Sequence, residues 1–449
     1  MIQALRNAMA LPDLRRKLLY TLLILIVYRL AAHVPVPGVD KVALQQLLAG
    51  SGGASQLFNL LDLLSGGAVS NFSVMANGVY PYITAQIIMQ LLQPIIPALE
   101  RVAEEGEAGQ RKINQWTYYL AIPMGLLQAF GQARIFSSGS GGTPILPYFG
   151  FSPPENILPT VSVLVAMSAG TMFAIWLGDL ITEQGIGNGL SLIIFSGIVS
   201  RVPESMARIW TQATVEGNVG MGVLMIGVVL AIMAVTMLVI VFVQEGERRI
   251  PVQYGKRVRG IKMYAGGSTH IPLRVNTAGM IPLIFAQSFL TFPAVIAQFF
   301  VGSESTGVAG FASGVMNFFS GQSPWYGLLY FLTVVGFTYF YTDVMVQQQD
   351  LPGALQRQGG FIPGIRPGRK TADYINSVYR RITLVGALFL GVVAALPFAI
   401  DLGFQSLFQI QANLLITSSG LLIVVGVVLD TMRQLEAQLL MRHYEGFIK

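Results

Sequence analysis

The chemistry open to this chain is set first by what its side chains leave out. It has no cysteine, which removes thiolate nucleophiles, thiolate metal sites and disulfides. Its three histidines, His33, His270 and His443, lie far apart, without the i, i+3 or i, i+4 spacing of a helical ligand pair. Neither a metal nor any other cofactor is expected. No Ser/His or paired-Asp arrangement falls within the apolar stretches, as an intramembrane hydrolase would need. No Gly-x-x-x-x-Gly-Lys-Ser/Thr loop is present to hold a nucleotide. An enzyme is therefore not expected, and what remains is clustered positive charge. Gln244-Glu-Gly-Glu-Arg-Arg-Ile-Pro-Val-Gln-Tyr-Gly-Lys-Arg-Val-Arg-Gly260 carries Arg248, Arg249, Lys256, Arg257 and Arg259, and Pro251 and Gly255 bracket a stretch ending in Tyr254. It reads as a protruding ribbon with cationic tips. In Gly359-Gly-Phe-Ile-Pro-Gly-Ile-Arg-Pro-Gly-Arg-Lys-Thr371, Pro363, Gly364, Pro367 and Gly368 fix a tight backbone that holds Arg366 forward, with Arg369 close behind.

Cations presented on such a ribbon suit phosphate backbones, where affinity is electrostatic and falls with salt. They suit acidic protein surfaces equally well. Charge that only orients the chain in a membrane would explain why the first segment is internal but not why it is long. For the second segment, turn chemistry with incidental arginines is a sufficient reading by itself.

The elements that must position these loops are apolar. The chain is 53% hydrophobic and 11% charged, against about 25% charged in a soluble domain. A hydrocarbon core of roughly 30 Å needs about 20 apolar residues per helix. Candidate spans are Leu18 to Ala32, Met75 to Leu92, Trp116 to Phe130, Thr160 to Leu177 and Leu190 to Val202, then Met221 to Val243, Ala278 to Phe300, Trp325 to Tyr341, Ile382 to Ile400 and Leu414 to Leu429. The first resembles a signal peptide but leads into the turn Val34-Pro-Val-Pro-Gly38, so it reads as a span. Of the 28 Lys and Arg, only Lys41, Arg134, Arg201 and Arg208 fall in external loops and Arg29 within a span when the N-terminus is placed inside. The positive-inside bias thus puts both termini in the cytoplasm.

These spans form an all-α polytopic membrane protein of ten transmembrane helices. Five plus five implies two halves of opposite topology. The expected divisions are a cytoplasmic segment 1–17, a first half 18–202, an external connector 203–220, a second half 221–430 with cytoplasmic loops at about 244–276 and 346–381, and a cytoplasmic tail 431–449. The Gly- and Pro-rich external loops, such as Ser137 to Pro144, read as solvated connectors. Before the second span, Leu57, Phe58, Asn59, Leu60, Leu61, Asp62, Leu63 and Leu64 allow two helical turns, which Ser65, Gly66 and Gly67 break. A half-inserted helix in a wet funnel and an amphipathic helix lying in the interface both fit. The spans hold almost no charge apart from Arg29. That counts against an ion-coupled small-solute transporter, the main rival among inverted-repeat proteins, and is compatible with an aliphatic constriction.

In order and spacing, a further set of strings resembles the SecY family over nearly the whole chain. They are Asn77-Gly-Val-Tyr-Pro-Tyr-Ile-Thr84, Glu183-Gln-Gly-Ile-Gly-Asn-Gly-Leu-Ser191, Arg248-Arg-Ile-Pro-Val-Gln-Tyr254, Val275-Asn-Thr-Ala-Gly-Met-Ile-Pro282, Gly364-Ile-Arg-Pro-Gly368 and Leu421-Leu-Ile-Val-Val425. The chain departs from common members at Val79 and in the lengths of its glycine-rich external loops.

The resemblance implies a protein-conducting channel, the channel subunit of the general translocase, that passes unfolded secretory proteins outward and releases apolar segments laterally into lipid. It implies a pore ring of Val79, Ile83, Leu190, Ile194, Ile284 and Ile423. The broken segment from Leu57 to about Ser70 would be a plug, and Thr84, Gln287 and Phe292 would border a lateral gate between spans two and seven. Arg248, Arg249, Lys256, Arg257 and Arg259 would meet ribosomal RNA phosphates. Tyr254 and Arg366, with Arg369 beside it, would meet the motor ATPase SecA. The implied partners also include the small membrane subunits SecE and SecG, signal sequences, nascent chains and membrane lipid. The implied location is the bacterial inner membrane, or a thylakoid membrane in a photosynthetic source.

Overall fold

The structure is a computed structural model that describes residues 11–40, 43–44, 67–93, 95–137, 145–150, 154–203, 206–207, 210–211, 219–254, 257–259, 262–264, 267–301, 306–319, 324–349, 351–408 and 418–445. Among them are α1 (Pro12–Ala31), α2 (Tyr80–Leu92), α3 (Pro97–Glu104), α4 (Glu107–Ser137), α5 (Ile157–Gln184), α6 (Gly189–Ser200), α7 (Val219–Gln244), α8 (Ile281–Val301), α9 (Thr306–Phe319), α10 (Pro324–Gln349), α11 (Leu351–Gln358), α12 (Arg369–Phe408) and α13 (Ser418–Glu445). A helix lies at each of the ten candidate spans. By length and composition, Ile157–Gln184, Gly222–Gln244, Trp325–Gln358 and Arg369–Leu396 can each cross a membrane alone. Tyr80–Leu92 and Pro97–Ala103, bent by 103°, make a fifth if they count as one span. The chain is a multi-pass membrane protein.

The chain forms two compact units. One comprises Met1–Ile226, Ser288–Tyr326 and Val427–Lys449, the other Gly227–Gln287 and Gly327–Gly426.

In the first unit, α1 opens with Pro12 in its first turn and Asp13 beside the helix N-terminus, which suit the free N–H groups and the dipole there. α1 packs on α5 and α6, and α4 packs on α2 and α5. The α5–α6 approach is close enough that a Cβ at Gly189 would collide with the Gly178 carbonyl, the small-residue packing that brings membrane helices together. Asn188 caps α6 by accepting from the Ser191 amide at 3.1 Å. The turn between these helices is pinned from both sides. The Ile186 amide donates to the Thr21 hydroxyl at 3.3 Å, and the Gly187 amide donates to Gln434 Oε1 at 3.0 Å. Leu14, Ile186 and Leu435 close a small core around it. The second span begins later than Met75. Gly78 sits in the left-handed region (φ +54°), which no helix continues through, so α2 starts at Tyr80.

In the second unit the all-α expectation is corrected. The strands β1 (Glu247–Tyr254), β2 (Arg257–Arg259), β3 (Lys262–Tyr264), β4 (Ser268–Arg274) and β5 (Gly360–Phe361) form a three-stranded sheet of order β4-β1-β5 and a β2–β3 hairpin. β1 and β4 run antiparallel from Glu247↔Arg274 to Gln253↔Ser268, and β5 adds the pairs Gln253↔Phe361 and Tyr254↔Gly360. The cause is alternation. Ile250 and Val252 are buried while Arg249, Pro251 and Gln253, which alternate with them, are exposed, a period of two that fits a strand with one covered face. The covered face packs on Leu273, Val346, Leu355, Ile362, Ile375 and Val378, so the sheet rests on α10, α11 and α12. The expected C-terminal tail is helical as far as Glu445, as a continuation of α13.

Candidate functional site

The aliphatic candidates sit at the starts of short helices. Val79 precedes α2 and is 1% exposed, and its carbonyl accepts from the Ile83 amide at 3.1 Å, one turn along the helix. Ile83 is half-buried. Leu190 and Ile194 occupy successive turns of α6. Ile194 is buried, and half-buried Leu190 packs against the cluster of Tyr82, Ala85, Ala121 and Ile175. Among these candidates Leu190 meets α2, through Tyr82 and Ala85. Ile284 and Ile423 are buried within the second unit.

Of the plug candidates, Leu57 to Gly66 lie outside the described residues and Gly67 begins the described turn. Ala68 and Val69 are fully buried, and the Ser70 hydroxyl donates to the Gly67 carbonyl at 2.9 Å. The chain then runs as non-helical backbone beside the turn after α1. The Val36 amide donates to the Phe72 carbonyl and the Val74 amide to the Val34 carbonyl, both at 3.0 Å. Val69 and Phe72 pack there with Val36, Ile145, Val163 and Met167. Asn77 Nδ2 donates to the Gly125 carbonyl at 3.2 Å, tying the entry of α2 to α4. Irregular backbone at this depth is tolerated because its polar groups find partners inside the protein.

At the gate, Thr84 is half-buried and its hydroxyl donates to the Tyr80 carbonyl at 3.0 Å. Gln287 is buried in α8, and Phe292 lies on the same helix. A proximity that the sequence reading did not assign lies between α2 and α8: the Tyr80 hydroxyl is near the side chains of Ser288 on α8 and of Thr84 on its own helix. The available signal was a hydroxyl on each of two apolar helices, at the start of α2 and at the eighth residue of α8. A second such contact lies between α4 and α5. The Tyr118 hydroxyl is 2.9 and 2.8 Å from the two oxygens of Asp179, and the Tyr82 ring stacks on Tyr118 at 5.3 Å. The expected fourth span ended at Leu177. The helix continues to Gln184, so this half-buried carboxylate belongs to it and is matched by a phenol.

The cationic candidates divide by partner. Arg248 is exposed on β1 opposite Leu273 of β4, and Arg249 pairs with Glu247 at 2.6 Å. The Tyr254 hydroxyl donates to Gln358 Oε1 at 3.3 Å, which links β1 to α11. Lys256 lies outside the described residues, while Arg257 and Arg259 stand on β2 opposite Tyr264 and Lys262. Arg366 and Arg369 are exposed. Gly364 (φ +84°) and Gly368 (φ +102°) take the left-handed turns around Arg366, whose carbonyl accepts from the Thr371 hydroxyl at 2.9 Å. Pairing of β1 with β5 places both basic loops on one sheet, a union that the separate loop readings did not anticipate.

Comparison with known proteins follows the same residues. The SecY family model matches residues 73–432. The protein translocase subunit SecY of Streptomyces galbus is 41% identical over 456 residues, covering 100% of both chains. Among solved structures, a SecY whose plug domain stabilises the closed state of the translocation channel and maintains a membrane seal covers 94% of this chain and 91% of its own, at 18% identity and a TM-score of 0.59. Sec61 in the canine ribosome-channel complex from the endoplasmic reticulum covers the same shares at 18% identity and a TM-score of 0.60.

Proposed function

The chain belongs to the SecY family, and from that premise we propose that it passes unfolded secretory proteins across the bacterial plasma membrane and releases apolar segments sideways into lipid. It is a protein-conducting translocation channel, a transporter and not an enzyme. In this reading its ten helices form two inverted halves, 18–202 and 221–430, and both termini are cytoplasmic. Val79, Ile83, Leu190, Ile194, Ile284 and Ile423 form an aliphatic ring that excludes water and ions by dewetting. The segment from Leu57 to Ser70 fills the external funnel as the plug.

The lateral gate is the seam between α2 and α8, bordered by Thr84, Gln287 and Phe292. The observation that carries it is the nearness of the Tyr80 hydroxyl on α2 to Ser288 on α8, a small polar patch between two apolar helices that also includes Thr84. An apolar signal helix, more stable in lipid than in a wet pore, displaces that contact and parts the seam. SecE and SecG are the small membrane partners. The sheet carries docking for the ribosome through Arg248, Arg249, Lys256, Arg257 and Arg259, and for SecA through Tyr254, Arg366 and Arg369.

The chain has no native cysteine, so a pair introduced at Thr84 and Phe292 tests the seam directly. A disulfide between them is expected to block protein export, and a long flexible crosslinker is expected to permit it. Failure of the pair to crosslink in folded protein would remove the gate assignment and leave the family membership standing.

A further inference from the structure

The turn that joins α5 to α6 has glycine at Gly185, Gly187 and Gly189, and glycine supplies conformational freedom rather than order. Order comes to it from side chains. The Ile186 amide donates to the Thr21 hydroxyl at 3.3 Å, the Gly187 amide to Gln434 Oε1 at 3.0 Å and the Gly189 amide to the Thr182 hydroxyl at 2.9 Å. Thr182 belongs to α5, but Thr21 and Gln434 stand on α1 and α13, 165 and 247 residues away in sequence. The Thr21 hydroxyl gives its one proton to the Lys17 carbonyl at 2.9 Å, so toward the turn it acts only as an acceptor. Space is set as closely as polarity. A Cβ at Gly185 would stand 2.5 Å from Thr21 Oγ1, and one at Gly187, in the left-handed region (φ +93°), 3.0 Å from Thr431 Oγ1.

We propose that Thr21 and Gln434 are positioning residues of the pore ring, which hold α6 at the height and rotation that keep Leu190 and Ile194 in the closed constriction. Leu190 is the second residue of α6 and Ile194 lies one turn further on, so a slip or tilt at the turn is carried directly to both. Asn188 and Thr182 tie the turn to its own pair of helices. Thr21 and Gln434 tie it to α1 and α13, above the small core of Leu14, Ile186 and Leu435. A seal that works by dewetting depends on the width of its constriction, so a small displacement of two of its side chains admits water and ions. The inference rests on the aliphatic ring proposed above.

The test combines hydrogen exchange of the turn with ion leak through the full chain reconstituted in lipid vesicles. Gln434→Ala and Thr21→Val each remove one acceptor. Each should speed exchange of the Ile186 and Gly187 amides and raise leak, both by about fivefold, as the loss of one hydrogen bond implies. Gln434→Glu and Thr21→Ser keep an acceptor and should bring both readouts back toward those of the unaltered chain. Ile194→Ala, which widens the ring directly, separates the two readings. If it raises leak while Gln434→Ala and Thr21→Val do not, the positioning role is overturned and the ring stands. If none of the three raises leak, the ring reading falls and the proposal with it. Exchange unchanged in Gln434→Ala, or leak raised as much by Gln434→Glu as by Gln434→Ala, also overturns the proposal.

Discussion

Tyr80 and Ser288 illustrate how little polar chemistry a seam between membrane helices needs. The Tyr80 hydroxyl has the side chains of Ser288 on α8 and Thr84 on α2 beside it, on two otherwise apolar helices. Tyr80→Phe removes the hydroxyl and any hydrogen bond it makes across the seam, and keeps the ring. A bond of this kind contributes about 1 kcal/mol net, so the closed seam should lose roughly fivefold in relative population. Export of a precursor with a weakly apolar signal is expected to rise by a similar factor. Export at the unaltered level would mean that the contact does not hold the gate. Asn188 makes a different contribution, since its side chain closes the open N-terminus of α6 just ahead of Leu190 and Ile194. Asn188→Ala should cost about 1 kcal/mol, read as a lower unfolding temperature in detergent.

Elements report on how far a pattern in sequence can be read. The positions of the apolar helices were legible because long runs of Leu, Ile and Val leave few alternatives in lipid. Their ends were not, since the start of α2 depends on the conformation of Gly78 and the length of α5 on a Tyr118 partner for Asp179 that lies 61 residues away in sequence. The cationic ribbon at 244–260 was legible from Pro251, Gly255 and its charge. Its union with β5 was hidden, because two residues, Gly360 and Phe361, carry no periodicity and pair only through contacts remote in sequence. Gly360 leaves little room for a side chain there: a Cβ would stand 3.0 Å from Tyr254 Cε1 and 3.2 Å from Leu355 Cδ2. Gly360→Val is therefore expected to unseat β5 at a cost of about 1–3 kcal/mol and to speed protease cleavage within 355–368 by limited proteolysis. On the hairpin, replacing Arg257 and Arg259 by Glu should weaken ribosome binding and flatten its dependence on salt. Equal binding at all salt concentrations would reduce these arginines to topological signals.

At the scale of the whole molecule, the segment proposed as the plug, Leu57 to Ser70, overlaps the frame of the first unit at its C-terminal end. Val69 and Phe72 belong to a buried core with Val36, Ile145 and Met167, so the frame begins no later than residue 68. Deleting 57–66 is expected to raise ion conductance through reconstituted channels while leaving assembly intact. Extending the deletion through Ser70 should in addition lower thermal stability, because it takes Val69 out of that core. Equal conductance before and after the shorter deletion would dissociate this segment from the seal. The sheet has a mechanical consequence of its own. Because β5 clasps the loop of Arg366 to the ribbon of Arg248, and both rest on α10 and α12, the two loops are one handle. Whichever partner grips either loop applies its load to the same bundle of helices, so a ribosome and a motor protein working through this sheet would have to take turns.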